Sequence, residues 1–138
     1  MLIPKKVKYR KWQTGRKDMS KASADTRGVD VSFGSFGLKA VTGGRIRSNQ
    51  IESARKVTSR TIGKIGRMWI RIFPDRPFTQ KAANVGMGKG KGDPEGYCLY
   101  IRPGRIIFEV DGVPEATAKE ALRKAGTKLP VSTRVVAR

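Results

Sequence analysis

The sequence predicts an α+β fold: a two-helix sandwich on a mostly antiparallel or mixed sheet, with an extended basic N-terminal tail and a long Gly-rich loop. Three observations point there. Runs at 29–40 and 67–73 alternate between two faces, the period of strands, and 97–110 holds the apolar strand-like runs YCLYI and RIIFEV. Stretches 48–65 and 114–126 place apolar residues three and four apart, the period of helices. The remaining segments, 1–28 and 74–96, are basic or glycine-rich and carry no clear period. A chain of 138 residues suffices for one domain. The expected division is a tail over 1–28 and a single domain over 29–138, with 74–96 as an inserted loop.

The tail holds nine Lys and Arg against Asp18 and Asp25. Its weak apolar periodicity predicts disorder in isolation, because it buries too little to offset its ordering entropy. Lys5, Lys6, Lys8, Arg10, Lys11, Arg16 and Lys17 are assigned to RNA phosphates. Tyr9 and Trp12 interleave with them; Trp12 either stacks on an RNA base or packs the tail onto the domain.

The domain opens with two expected strands, VDVSF (29–33) and FGLKA (36–40), separated by a bend at Gly34. Ser48 is the expected N-cap of a helix running to about Ile65, with Ile51, Ala54, Thr58, Ile62 and Ile65 on its core face. Lys56, Arg60 and Lys64 recur every four residues and share another face. Such a stripe is either a solvated face or an RNA-facing one. Its lack of acidic partners and the total charge favour RNA, and Arg45, Arg47 and Arg55 are assigned with it.

RMWIRIF (67–73) is the clearest strand. Met68, Ile70 and Ile72 face one way; Arg67, Trp69, Arg71 and Phe73 face the other, where a helix edge or a partner would cover them. Arg67 and Arg71 join the RNA-binding assignment. Pro74 and Pro77 are expected to end the pairing. Strands resume as YCLYI and RIIFEV around Arg102-Pro103-Gly104-Arg105, which suits a type II turn rather than a tight hairpin. A second helix begins near Pro114, buries Ala118, Ala121, Leu122 and Ala125, pairs Glu115 with Lys119 and Glu120 with Lys124, and stops at Gly126 as C-cap. STRVVA is the last strand.

Thirty Lys and Arg against eleven Asp and Glu give a formal charge of +19, a field that attracts polyanions. A membrane partner fits poorly. The start, MLIPKKVKYRK, lacks the apolar run of a signal peptide, and no stretch approaches the ~20 apolar residues of a membrane-spanning helix. The expected setting is cytosolic or an organellar matrix. The chain has no histidine and one cysteine, Cys98, within an apolar run. His-based nucleophile pairs and nearly all zinc sites are thereby excluded, and Cys98 is expected to be a buried packing residue.

The loop contains GMGKGKG (86–92). A phosphate-binding P-loop would need GxxxxGK followed by Ser or Thr. Ala83 or Val85 stands where the leading glycine belongs, and Gly90 or Gly92 follows the lysine. The dinucleotide pattern GxGxxG fails at Lys91 or Asp93. No metal and no cofactor are expected. What remains is either an idle exposed loop or a flexible RNA-facing strip, whose glycines allow close backbone approach, whose lysines meet phosphate and whose Met87 packs on a base or sugar.

These residues also carry a resemblance. MLIPKKVKYRK, SFGSFGLKAV, SNQIESAR, MWIRIFPDRP, MGKGKG, PGRIIFEVDGVPE and EALRKAGTKLP stand in an order and spacing that resemble, end to end, the bacterial-type large-subunit ribosomal protein number sixteen family. The resemblance implies an α+β structural constituent of the large ribosomal subunit that binds 23S-class rRNA and supports assembly and translation. It also implies neighbouring ribosomal proteins as partners, no homo-oligomer and no catalysis. Residues 80–92 match the family's tRNA-side loop, so Lys81, Gly86, Met87, Gly88, Lys89, Gly90 and Lys91 are expected to approach A-site tRNA, with P-site tRNA as the second candidate. Two positions depart from the family: Gly86 stands where an arginine is usual, and Ser132 where a lysine is. On the residues themselves, two other functions stand as alternatives. A nucleic-acid enzyme would need Asp75, Asp93, Glu95, Glu109 or Asp111 to converge, and a free DNA-compacting protein would be found outside ribosomal particles.

Overall fold

The computed structural model describes residues 1–15 and 17–138; Arg16, assigned above to the RNA-binding set, lies outside the described residues. Strands β1 (Phe36–Ala40), β2 (Gly44–Arg47), β3 (Arg67–Ile70), β4 (Arg76–Gln80), β5 (Asp93–Ile101), β6 (Ile106–Asp111) and β7 (Thr133–Ala137) alternate with helices α1 (Ser48–Ile62) and α2 (Glu115–Gly126). They form two antiparallel sheets where the sequence suggested one: a four-stranded sheet ordered β3-β6-β1-β7 and a three-stranded sheet ordered β2-β5-β4. The α+β class is as expected. The helices pack on each other, α2 also on β1 and β7, and α1 also on β2 and β3.

The core lies between the helices and the four-stranded sheet. Ile51, Ala54 and Ile62 from α1 and Ala118, Ala121, Leu122 and Ala125 from α2 meet Leu38, Phe108 and Val110. The short α2 side chains let the helix approach the sheet closely. Gly126 is the last helical residue rather than the cap, which is Thr127; glycine fits there because a Cβ would fall 2.3 Å from the Thr133 hydroxyl oxygen. Both expected ion pairs of α2 form, Glu115–Lys119 at 2.5 Å and Glu120–Lys124 at 2.9 Å.

Helix α1 departs from expectation at both ends. Arg47 holds the cap position, its N–H donating to the Gln50 side chain at 2.8 Å, while the Ser48 hydroxyl donates to the Leu2 carbonyl at 2.7 Å. That bond fixes the start of the tail on the domain. At the other end Gly63 adopts φ +68 and stops the helix, so Ile65 is 85% exposed and not part of the core face.

VDVSF is not a strand. Its segment crosses the face of the four-stranded sheet opposite the helices, and the backbone N–H groups of Ser32, Phe33 and Gly34 are taken by the Glu109 carboxylate instead of a neighbouring strand. Two glycines permit the crossing. A Cβ on Gly34 would lie 2.6 Å from the Val110 carbonyl oxygen, and one on Gly37 would lie 2.8 Å from the Val31 side chain. Of the aromatic and cationic face of β3, Trp69 and Arg71 are thus covered by the chain's own loop, with Phe33 stacked on Trp69 at 6.2 Å, while Arg67 and Phe73 stay exposed.

The other face of β3 behaves as expected. Met68 and Ile70 pack against the core and Ile72 is buried. Because Ile70 is only half-buried, Ile70→Ala is predicted to destabilise by about 2 kcal/mol, the low end for such truncations. Urea unfolding reads this directly; no change would mean that the facing of β3 is wrong.

The segment 74–96, read as loop, contains all of β4 and the start of β5. Pro77 does not end the pairing because β4 is an edge strand, where a missing N–H can face outward. The true connection is 81–92, the tip of a β4–β5 hairpin. At Arg102–Arg105 the chain passes from one sheet to the other: the Arg105 N–H reaches the Arg102 carbonyl at 3.4 Å and Gly104 has φ +95, as a type II turn requires.

Candidate nucleic-acid interface

The three-stranded sheet carries a cationic and aromatic face. In antiparallel pairs, directly opposed residues point the same way. Arg45 opposes Tyr100, Arg47 and Arg76 both oppose Cys98 from either side, and Phe78 opposes Gly96. Arg45, Arg47, Arg76, Phe78 and Tyr100 therefore share one face, while Ile46 and Ile101 lie buried on the other. The guanidinium groups of Arg45 and Arg47 sit 5.7 and 4.8 Å from the centre of the Phe78 ring. Arg76 lies 4.5 Å from the centre of Tyr100 and 5.8 Å from that of Trp12. Stacking on rings holds each planar cation while leaving edge N–H groups for an anion.

Cys98 lies at the centre of this face, 1% exposed, as the sequence suggested. Burial pushes its thiol pKa up, with Arg45, Arg76 and Arg47 opposing, and the net direction is upward. A thiol held protonated is a poor nucleophile, so Cys98 is packing beneath the arginines.

The tail runs beside this sheet. Arg76 donates to the Gln13 carbonyl at 2.9 Å, Lys91 donates to the Trp12 carbonyl, and Lys11 reaches the Lys91 carbonyl at 3.4 Å. Further along, the Asp25 N–H meets the Pro103 carbonyl at 2.8 Å, and the Ile106 N–H meets the Gly28 carbonyl at 2.8 Å. Trp12 thus packs against Arg76 and still leaves 40% of its surface open.

The predicted residues divide by their surroundings. Lys5, Lys6, Lys8, Arg10, Lys11, Lys17, Arg45, Lys56, Arg60, Lys64 and Arg67 are exposed. Lys56 and Arg60 project from α1, whereas Lys64 follows the Gly63 cap and leaves the helical stripe. Arg55 is half-buried and pairs with Glu52 at 2.6 Å, which lowers the Glu52 pKa. Arg71 is turned inward to the buried Glu109 and over the Phe33 ring at 5.0 Å. At the hairpin tip, Met87 is 96% exposed, and a Cβ on Gly86, Gly88 or Gly90 would meet nothing within 4 Å. Gly88, Lys89 and Gly90 all have positive φ, and Lys81 donates to the Gly88 carbonyl. Such a tip presents backbone to any surface it meets.

Arg76, Phe78 and Tyr100 were not assigned from the sequence. Their signal, alternation in GRIR, RPFT and YCLY, becomes readable only once the strand register is known. The carboxylates do not converge: Glu109 is held by Arg71, Asp111 accepts from Ser35 at 2.7 Å, and among the described residues no three His, Cys, Asp or Glu form a metal-holding group.

The basic α+β domain presents an arginine–aromatic sheet face and a glycine-rich lysine hairpin, an arrangement chemically suited to anions. The family described as ribosomal protein L16p/L10e matches residues 4–136. The chain is 52% identical, over all of its length and 97% of the relative's, to the large ribosomal subunit protein uL16 of Albidiferax ferrireducens. The chain belongs to the ribosomal protein L16p/L10e family, and it is a structural ribosomal protein rather than an enzyme.

Proposed function

We propose that the chain is anchored to 23S-class rRNA of the large subunit through the arginine–aromatic face of the three-stranded sheet, the basic tail beside it and the exposed cations of α1. The face carries the proposal, since it places Arg45, Arg47 and Arg76 on aromatic supports with donor edges free for phosphate. RNA recognition of this kind relies on phosphate, shape and stacking. The β4–β5 hairpin tip then extends toward A-site tRNA, with P-site tRNA the second candidate, and supports assembly and translation. Gly86 leaves that tip without a cation at the position where the family resemblance implies an arginine.

Binding of full-length protein to an rRNA fragment tests the anchoring: log affinity should fall with log salt by roughly 0.7–0.9 per phosphate contact. Affinity independent of salt would remove the electrostatic basis of the proposal. For the tip, Lys89→Ala with Lys91→Ala is expected to leave the unfolding midpoint unchanged while impairing subunit maturation or tRNA binding. Normal subunit profiles and tRNA affinity would make the hairpin tip idle.

A further inference from the structure

A groove of about 640 Å³ opens between the two sheets, where the ends of β3 and β5 and the tail converge. Its volume is that of a small-molecule site. The floor is apolar, made by Ile70, Ile72, Leu99 and Ile101. Trp12, Phe73 and Tyr100 bring aromatic groups to it from three separate segments, with the Arg76 guanidinium lying 5.8 Å from the centre of Trp12 and 4.5 Å from that of Tyr100. The rim is charged: Arg76 and Arg105 supply donors and Asp75 an acceptor.

These walls match the parts of one nucleotide. A base has a flat apolar face, an edge of donors and acceptors, and a phosphate one sugar away. Each guanidinium carries five N–H donors. Arg76 uses one on the Gln13 carbonyl, and Arg105 directs one nitrogen to Asp25 at 3.5 Å and to the Arg27 carbonyl at 3.3 Å. Both retain donors for an anion. A duplex cannot offer an isolated base face, so the groove selects an unpaired residue.

We propose that this inter-sheet groove is a subsite for a single unstacked RNA base, stacked on the exposed Phe73 ring beside the Trp12–Arg76–Tyr100 group, with the adjoining phosphate on Arg76 or Arg105. The proposal rests on the reading of the chain as an rRNA binder. It predicts a preference for single-stranded or bulged RNA that general charge attraction does not give.

The test uses full-length protein, a single-stranded nonamer RNA with one central 4-thiouridine, and the duplex of the same sequence. Photo-crosslinks are expected at Trp12, Phe73 or Tyr100. Phe73 is exposed at the lip, so Phe73→Ala should leave the fold intact. It should weaken single-strand binding about tenfold, within the range for one lost base–aromatic stack. Duplex affinity and the salt slope should not change. Crosslinks confined to other surfaces, or equal effects of Phe73→Ala on both RNAs, would overturn the groove assignment while a steep salt slope keeps the rRNA reading. Failure to bind either RNA would overturn both.

Discussion

Glu109→Ala is expected to destabilise the domain by about 3–5 kcal/mol, the range for removing one partner of a buried ion pair. Glu109 is fully buried on the central strand β6. Its carboxylate accepts N–H bonds from Ser32 at 3.0 Å, Phe33 at 2.6 Å and Gly34 at 2.8 Å, and pairs with Arg71. Alanine would leave three backbone donors and one guanidinium without their acceptor. Each such orphaned group carries a desolvation penalty. The loss should be local in origin: amide exchange at residues 32–34 should accelerate first, and the Phe33–Trp69 stack should loosen. Replacing Glu109 and Arg71 together by leucine should recover part of the loss, because the unpaired charge goes too, but not all of it, because the three N–H groups remain. Urea unfolding of the three variants measures this; a change below about 1 kcal/mol for Glu109→Ala, within the range of an ordinary point mutation, would show that the carboxylate is not the anchor of the loop.

The same group gives the acid response its sign. Burial pushes the Glu109 pKa up, but the bonds from Ser32, Gly34, Phe33 and Arg71 outweigh it, and the net shift is downward from the ordinary glutamate value. A carboxyl whose folded pKa is depressed adds stability that is complete above its unfolded pKa and is lost as pH falls through the folded one. Wild-type protein should therefore lose stability as pH drops below the ordinary glutamate range, and Glu109→Gln, less stable at neutral pH, should lose less over that interval.

Replacing Arg45, Arg47 and Arg76 together by alanine is expected to have the largest effect on RNA. If each meets one phosphate, the salt slope should become shallower by about 2–3, at roughly 0.7–0.9 per contact. Affinity at moderate salt should fall by two orders of magnitude or more if each contact is worth about a kcal/mol or more, as charge-assisted bonds are. The corresponding lysine variant separates charge from stacking. Lysine keeps the phosphate attraction but lacks the planar fork, so the slope should be retained while affinity falls less. An unchanged slope in the alanine variant would move the interface off this sheet.

The helices were legible because their signal is local. Ile51, Ala54, Thr58 and Ile62, and Ala118, Ala121, Leu122 and Ala125, are spaced as a buried face demands and are buried. What failed depended on distant partners. VDVSF alternates like a strand, yet the acceptor for its N–H groups is a side chain more than seventy residues on. β2 holds a single buried apolar residue, Ile46, and β4 begins Arg76-Pro77, so neither announces itself. The tail and hairpin cations were legible from charge alone. The arginine–aromatic face was not, because it assembles β2, β4 and β5 from three separated segments, and register decides which side chains share a side.

The most direct measurement is a map of the chain within an assembled large subunit. rRNA phosphates or bases should lie against Arg45, Arg47 and Arg76, with the tail of residues 1–28 threaded between RNA segments and the hairpin tip at 86–92 directed toward the tRNA sites. An arginine–aromatic face turned to solvent or to another protein, with rRNA held on other surfaces, would contradict the assignment.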